Sequence, residues 1–524
     1  MLSWLTATAL SSIALQASLF AVGAYHWPDP QLEYADKLLF GDAFLSQLAV
    51  NCAPRDKTTV AAQWLRIAYH DMSTHNVDDG TGGLDASIVY ELERPENIGL
   101  GMLTSVGEFI LFTSPVASLA DIIAMGAVMG VAACGGPVVP YRAGRINATV
   151  AGPPGVPEPH QDLSSHAESF RRQGFTESEM IALVACGHTL GGVRREDFPG
   201  TIHDTSVDLM TFDSTIQFDN LVVTEYLSGT TKNPLVVGPN TTTNSDFRIF
   251  SSDGNITMQR YAFSIAPPDS FSKTCGSLIE RMINTVPKDD ILSEVVEPIQ
   301  YKIGDTRLFP ANDGSFTLST SLRLLSRNEQ RKVTLFWNDR QGSVCGDIGC
   351  SVQPVSSRAA TITYLAHMRG ISEGVDYSFS AKINMTSSIS KFWFEIDERD
   401  GSDVTVVDNG GSGFVIDQDT VLLDLGRSKR LPNTFTSFNL VVAVRGDASA
   451  QVSVMTYEPS ADTNNVSPKM KTIQLALDTR FPPTAGFTFF SGNASSGMTY
   501  FDVHGVVGDD IFTQTFVDAS IIIV

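Results

Sequence analysis

The stretch Leu65-Arg66-Ile67-Ala68-Tyr69-His70-Asp71 continues an apolar run begun by Val60 and Trp64, spaced as one face of a helix with Asp56 as its start signal. Arg66 and His70 are four apart, so both side chains leave one face, one turn apart, while Asp71 points away. A histidine that takes a proton beside an arginine that stabilises negative charge suits heterolysis of a peroxide or an ester. Alone, the spacing fits a surface ion-paired helix better.

A second centre gives it weight. Thr176 and Glu179 form a capping box ahead of Met180, Leu183 and Val184, and Gly187 closes that helix within Ala185-Cys186-Gly187-His188-Thr189-Leu190-Gly191-Gly192. A neutral imidazole at a helix end, its other nitrogen bonded to a carboxylate, is what an axial metal or haem ligand requires. Oxygen-rich clusters flank both histidines: Asp71 with Gly83, Asp85 and Ser87, and Thr189 with Asp213, Thr215 and Asp219. Hard donors of this kind suit Ca²⁺.

Further out, Ser118 with Asp121 opens another helix through Ile122, Met125 and Val128, and helical signals persist to about residue 300. After about residue 305 the texture changes. Alternating or β-branched runs at Lys332–Trp337, Ala359–Tyr364, Phe392–Ile396 and Gln451–Met455 lie between Gly, Asp, Asn and Ser clusters, as in an antiparallel sandwich. The expected fold is multidomain: a mainly α domain over 25–305, then a β-rich region over 306–524 of one or two sandwich modules.

Of 524 residues, 36 are Lys or Arg and 58 Asp or Glu, a net charge of −22 that excludes a nucleic-acid binder. With 43% hydrophobic and 18% charged residues the chain has the composition of a packed protein. Residues 1–24 lack acids and bases, run through Leu10, Ile13, Leu15 and Leu19, and end in small residues. They read as a secretory signal cut after Ala24, the alternative being an uncleaved anchor; no later segment is apolar enough to span a bilayer. Sequons at Asn147, Asn240, Asn255, Asn384, Asn465 and Asn493 fit a secreted chain, Pro468 weakening the one at Asn465. Cys345 and Cys350 close a short loop and form the easiest disulfide to assign, whereas Cys186 in its apolar run reads as a buried thiol.

In their order these segments resemble the plant and fungal secreted haem peroxidases of the peroxidase-catalase superfamily, over about residues 30–300. LRIAYHD is similar to the distal haem motif, GGLDAS to the distal calcium loop, RPENIGL to the segment bearing the distal asparagine, ACGHTLGG to the proximal haem motif, FDSTIQFDN to the proximal calcium segment, and IFSSDGNI to the stretch with the proximal aspartate. ADII, CGGPVVPYRAGR and VPEPHQDL fall between them in the family's sequence. The resemblance implies haem b and two Ca²⁺ ions. It makes His188 the iron ligand, Asp253 the acceptor of its other nitrogen and Phe212 the ring packed beside it, where a cytochrome c peroxidase type would carry tryptophan. His70 would move the peroxide proton, Arg66 stabilise the departing charge and Asn97 orient His70. Cys52–Cys134 would be a family disulfide, while Cys275 has no assigned partner. Tyr69, where Phe or Trp is usual, reads as packing.

Departures from the family narrow the donor. Manganese-oxidising members carry carboxylates three and seven positions before the distal arginine and six after the proximal histidine; here stand Gln63, Thr59 and Arg194. The surface tryptophan of lignin-attacking members is replaced by Leu183. What remains is an exposed haem edge near Pro157, and hence H2O2 with small phenolic or aromatic reductants. The region beyond residue 310 resembles nothing in that family. A wall polysaccharide is its expected partner from architecture alone, and the alternative reading of the whole chain is a catalytically weak scaffold acting in adhesion.

Overall fold

The structure, a computed structural model, describes residues 25–518 apart from 42, 263–269, 305, 342–349, 435, 447–448, 459–468 and 498–499, together with Ile522. The expected signal segment, the sequon at Asn465 and Cys345 therefore lie outside the described residues.

The helical domain is built around a helix with no polar face. We label α1 Pro30–Asp36, α2 Val60–Met72, α3 Leu119–Ala133, α4 Glu177–Gly187 and α5 Ser245–Phe250. Every residue of α3 is buried, and α2 lies against it, where a Cβ on Gly130 would stand 3.1 Å from the Ala61 Cα. Glycine there lets the two backbones approach closely. The start of α2 differs from expectation. Thr59 caps it, accepting from the Ala62 N–H at 3.1 Å, while Asp56 sits upstream in a left-handed turn with φ +50°. Ser118 caps α3 by accepting from the Asp121 N–H at 3.0 Å. The capping box of α4 is formed in both directions between Thr176 and Glu179, and His188 takes the position just past its last turn.

Two disulfides staple this domain. Cys52–Cys134 joins the segment before α2 to the end of α3. Cys186 at the end of α4 bonds Cys275, correcting the reading of Cys186 as a buried thiol and supplying the partner left unassigned for Cys275. An apolar run conceals such a bridge, because a half-cystine is as buried as a free thiol.

The β texture starts at the strand Tyr301–Ile303, slightly before residue 306. We label β1 Ser315–Leu324, β2 Lys332–Asn338, β3 Val375–Asn384, β4 Lys391–Asp397, β5 Ser437–Arg445, β6 Gln451–Glu458, β7 Phe487–Ser495 and β8 Tyr500–Val507. Two five-stranded antiparallel sheets, one centred on the β1–β3 pair and one on β2–β4, face each other through Phe316, Leu318, Phe379, Leu335, Phe392 and Phe394. An eight-stranded antiparallel sheet carries β5 to β8. Strand β5 is buried on both sides: Val441 and Ala443 join the sandwich core, Leu440 and Val442 the core of the larger sheet. Ala359–Tyr364 is not a strand. Its first residue ends the strand Ser356–Ala359, and Tyr364 starts the short helix α6, Tyr364–Met368, capped by Thr363.

That helix welds the two regions together. Leu365 and Ala366 belong to the core of the helical domain, and the Thr363 hydroxyl donates to the Leu39 carbonyl at 2.5 Å. Asp36 at the end of α1 is fully buried and receives Lys302 Nζ at 2.7 Å, Arg323 at 2.8 Å and the Ile299 N–H at 2.9 Å. Burial raises its pKa, but Lys302 and Arg323 override this and hold the carboxyl below its ordinary range. On the far side, Trp27 meets Phe392 and Phe414 edge-on, and Asn409 bonds both backbone groups of Trp27.

Candidate active site

Helix α2 brings Arg66 and His70 to a cleft that the end of α4 lines with His188. Pro157 lines the same cleft. His70 Nδ1 lies 2.8 Å from Asn97 Oδ1, and Asn97 Nδ2 donates to the Glu91 carbonyl at 3.0 Å. Because that carbonyl can only accept, the amide orientation is fixed and its oxygen must accept from His70. The proton of neutral His70 therefore sits on Nδ1, leaving Nε2 as the free base. Burial, then the charge of Arg66, depress the His70 pKa to about 3, against which the Asn97 bond works upward. Arg66 donates to the Ile98 carbonyl at 3.0 Å and to that of Glu96 at 3.5 Å. Burial lowers its pKa to about 10, with Asp197 acting in the opposite sense, so it remains a cation at neutral pH.

At His188 the carboxylate partner differs from expectation. His188 Nδ1 lies 2.7 Å from Asp246 Oδ2, and the same oxygen accepts from Asn233 Nδ2 at 2.7 Å. Asp253 is not there. It follows α5, where its Oδ2 accepts from the Thr257 N–H at 2.9 Å as a local cap and its Oδ1 is buried without a partner. Asp246 occupies the first turn of α5, aimed at the end of α4, seven residues before Asp253, and the direction of that helix decides which carboxylate faces His188. Asn233 left no signal at all. Phe212 stacks on the His188 ring at 4.0 Å between centroids and 11° between planes. His188 Nε2 makes no hydrogen bond among the described residues and is free to ligate.

Both oxygen-rich clusters assemble. Asp71 is buried and accepts from the Ala86 and Ile88 N–H groups at 2.7 and 2.9 Å, and its pKa is pushed well up by burial and then by Asp85. Ser87 Oγ beside them is buried with no partner, and Gly83 holds the loop at φ +124°. Around the second histidine, the Thr189 hydroxyl bonds the backbone of Asp219, and Thr215 donates to Asp219 Oδ2 at 2.9 Å. Asp213 Oδ2 is buried without a partner, and burial, then Asp219, raise that carboxyl to about 7. Among the described residues no group of three or more His, Cys, Asp or Glu forms a metal site, so each cluster mixes two carboxylates with hydroxyl and backbone oxygens. Crowded carboxylates and orphaned buried oxygens are the environment a hard cation relieves.

The positions tied to manganese oxidation are occupied otherwise. Gln63 is bonded by Arg55, and Arg194 pairs with Glu196 at 3.3 Å and Asp197 at 3.6 Å. Tyr69 is half-buried beside His70, its hydroxyl reaching Gln173 Oε1 at 3.4 Å.

A sequence model of the peroxidase family matches residues 47–264. A WSC domain-containing protein of Arthroderma benhamiae is 33% identical over 478 residues, 87% of this chain and 61% of that protein. Two Arabidopsis thaliana proteins follow: putative L-ascorbate peroxidase 6, 40% identical over 25% of this chain and 41% of its own length, and peroxisomal L-ascorbate peroxidase 5, 31% identical over 41% and 74%. The chain thus spans under two thirds of the first two relatives. The match of 87% means that the β-rich region has a counterpart in the Arthroderma protein.

Proposed function

We propose, from the premise that this chain belongs to the peroxidase family, that it is a secreted haem enzyme which reduces H2O2 and oxidises small phenolic or aromatic donors. The observation that carries this reading is the pair of oriented histidines lining one cleft, His70 held by Asn97 and His188 by Asp246.

His188 Nε2 would hold the iron of haem b, which when bound would supply the redox chemistry of peroxide reduction. Asp246 takes the His188 Nδ1 proton into a short hydrogen bond, making the imidazole a stronger donor, and Asn233 keeps that carboxylate in place. Above the cleft, His70 Nε2 takes a proton from H2O2 and returns it to the leaving oxygen, its depressed pKa keeping it a free base throughout the neutral range. Arg66 presents a permanent cation to the developing negative charge. Phe212 fills the space beside His188 without an indole that could be oxidised in its place.

Donors reach the cleft beside Pro157. With Gln63 and Arg194 engaged as described, Mn(II) finds no three-carboxylate site, so guaiacol-type phenols and aromatic amines are the substrate class. Two Ca²⁺ ions would occupy the clusters of Asp71, Gly83, Asp85 and Ser87 and of Thr189, Asp213, Thr215 and Asp219, each bracing the histidine next to it in sequence. The two disulfides support an oxidising, extracellular setting. Absorption spectroscopy of the purified protein tests the reading: a Soret band that His188→Ala abolishes, with peroxide-dependent guaiacol oxidation and negligible Mn(II) turnover, is expected. A wild-type protein that takes up no haem would overturn it.

A further inference from the structure

Arg66 has a second neighbour that the peroxide chemistry leaves unexplained. Its hydrogen bonds to protein go to the carbonyls of Ile98 and Glu96, the residues just before Gly99. Between Asp197 and Arg66 lies Gly99, with φ +118° at the start of the helix Leu100–Ile110. A Cβ on Gly99 would sit 3.0 Å from Asp197 Oδ2 and 3.4 Å from Arg66 Nη1. The missing side chain is thus the gap across which carboxylate and guanidinium face each other. They close no direct ion pair; Asp197 pairs instead with Arg194 at 3.6 Å, and its carboxylate raises the pKa of Arg66.

Resting on the peroxidase reading, we infer that Asp197 is a positioning residue for Arg66: acting across Gly99, it draws the guanidinium toward the Gly99 side of the cleft and weakens its hold on anions bound there. The attraction is of the through-space kind, acting in a partly buried site where solvent screens it incompletely. H2O2 arrives uncharged and acquires negative charge only as His70 removes a proton, whereas an inhibitory anion carries its charge from the start. A restrained arginine therefore admits the substrate while lowering occupancy by simple anions.

Fluoride binding to the ferric holoenzyme, followed by the change in the haem spectrum at fixed pH and ionic strength, tests this directly. Asp197→Asn should bind fluoride about threefold or more tightly than wild type, the size expected for one charge removed at this range. Asp197→Glu should restore the wild-type affinity, and Asp197→Ser repeats the test if the asparagine variant takes up no haem. Arg66→Leu should bind fluoride weakly, and adding Asp197→Asn to it should change nothing further. Unchanged or weaker fluoride binding in Asp197→Asn, or a gain that persists without Arg66, would overturn the inference while leaving the peroxidase reading intact. A wild-type protein without a Soret band would overturn both.

Discussion

The helical domain and the β-rich region carry their information differently. In the helical domain the groups that do chemistry are near neighbours in the chain: Arg66 and His70 are one helical turn apart, and Thr176, Glu179 and His188 mark the two ends of one helix. Among the described residues the β region has no such clusters. What distinguishes its strands is which faces they bury, and β5, buried on both, joins two cores at once. Local spacing specifies a site built on helix ends, whereas a layered sheet is specified by partners far away in sequence.

The largest expected effect lies in the helical domain. His70→Ala or Arg66→Leu should keep the haem and slow the peroxide step by about 10²–10⁴-fold, while melting as wild type; stopped-flow rates within a few-fold of wild type would break the assignment. On the β side the matching change is Phe392→Ala, which empties the sandwich core beside Trp27 and Phe414 and should cost about 3–5 kcal/mol in denaturant titration. If the regions unfold together, the haem spectrum will be lost at the same midpoint.

Leu365→Ala sharpens the comparison, because this residue lies within the β region of the chain but packs in the helical core. A loss of about 2–5 kcal/mol read at the haem, with the peroxide rate unchanged before unfolding, is expected. Asp36→Asn removes the central charge of the junction and leaves Lys302 and Arg323 facing each other; a destabilisation of about 3 kcal/mol is the scale for breaking a buried pair. Since the folded carboxyl lies below its unfolded value, its contribution is full above about pH 4 and is lost as pH falls through the folded pKa, so the variant should differ least from wild type in acid. The smallest effect is a contrast of two aspartates. Asp246→Asn should raise the haem reduction potential, and Asp253→Asn should leave it where it was; a shift in the second variant alone would restore Asp253 to the proximal role.

Much of the site was legible because caps and helix spacings are local. The distal pair, the proximal histidine with Phe212, and both oxygen-rich clusters come together where their motifs placed them. The misreadings share one physical cause. Asp246 against Asp253, Asn233, and the Cys186–Cys275 bridge each depend on how one helix is aimed at another, and helix direction leaves no mark on composition. Ala359–Tyr364 carries the β-branched residues of a strand, but Thr363 with Leu365 and Ala366 serves as a cap and a plug for the other domain, and burial there overrides propensity.

By itself the sequence determined the order of helices, the two histidine centres and the change from helical to β texture near residue 300, since all of these rest on periodicity and on capping between neighbours. Only the tertiary structure decided which aspartate faces His188, that Asp197 looks at Arg66 across a glycine, and that α6 and Asp36 fuse the two regions. Those are contacts between groups distant along the chain, fixed when buried surfaces pack and buried charges find partners.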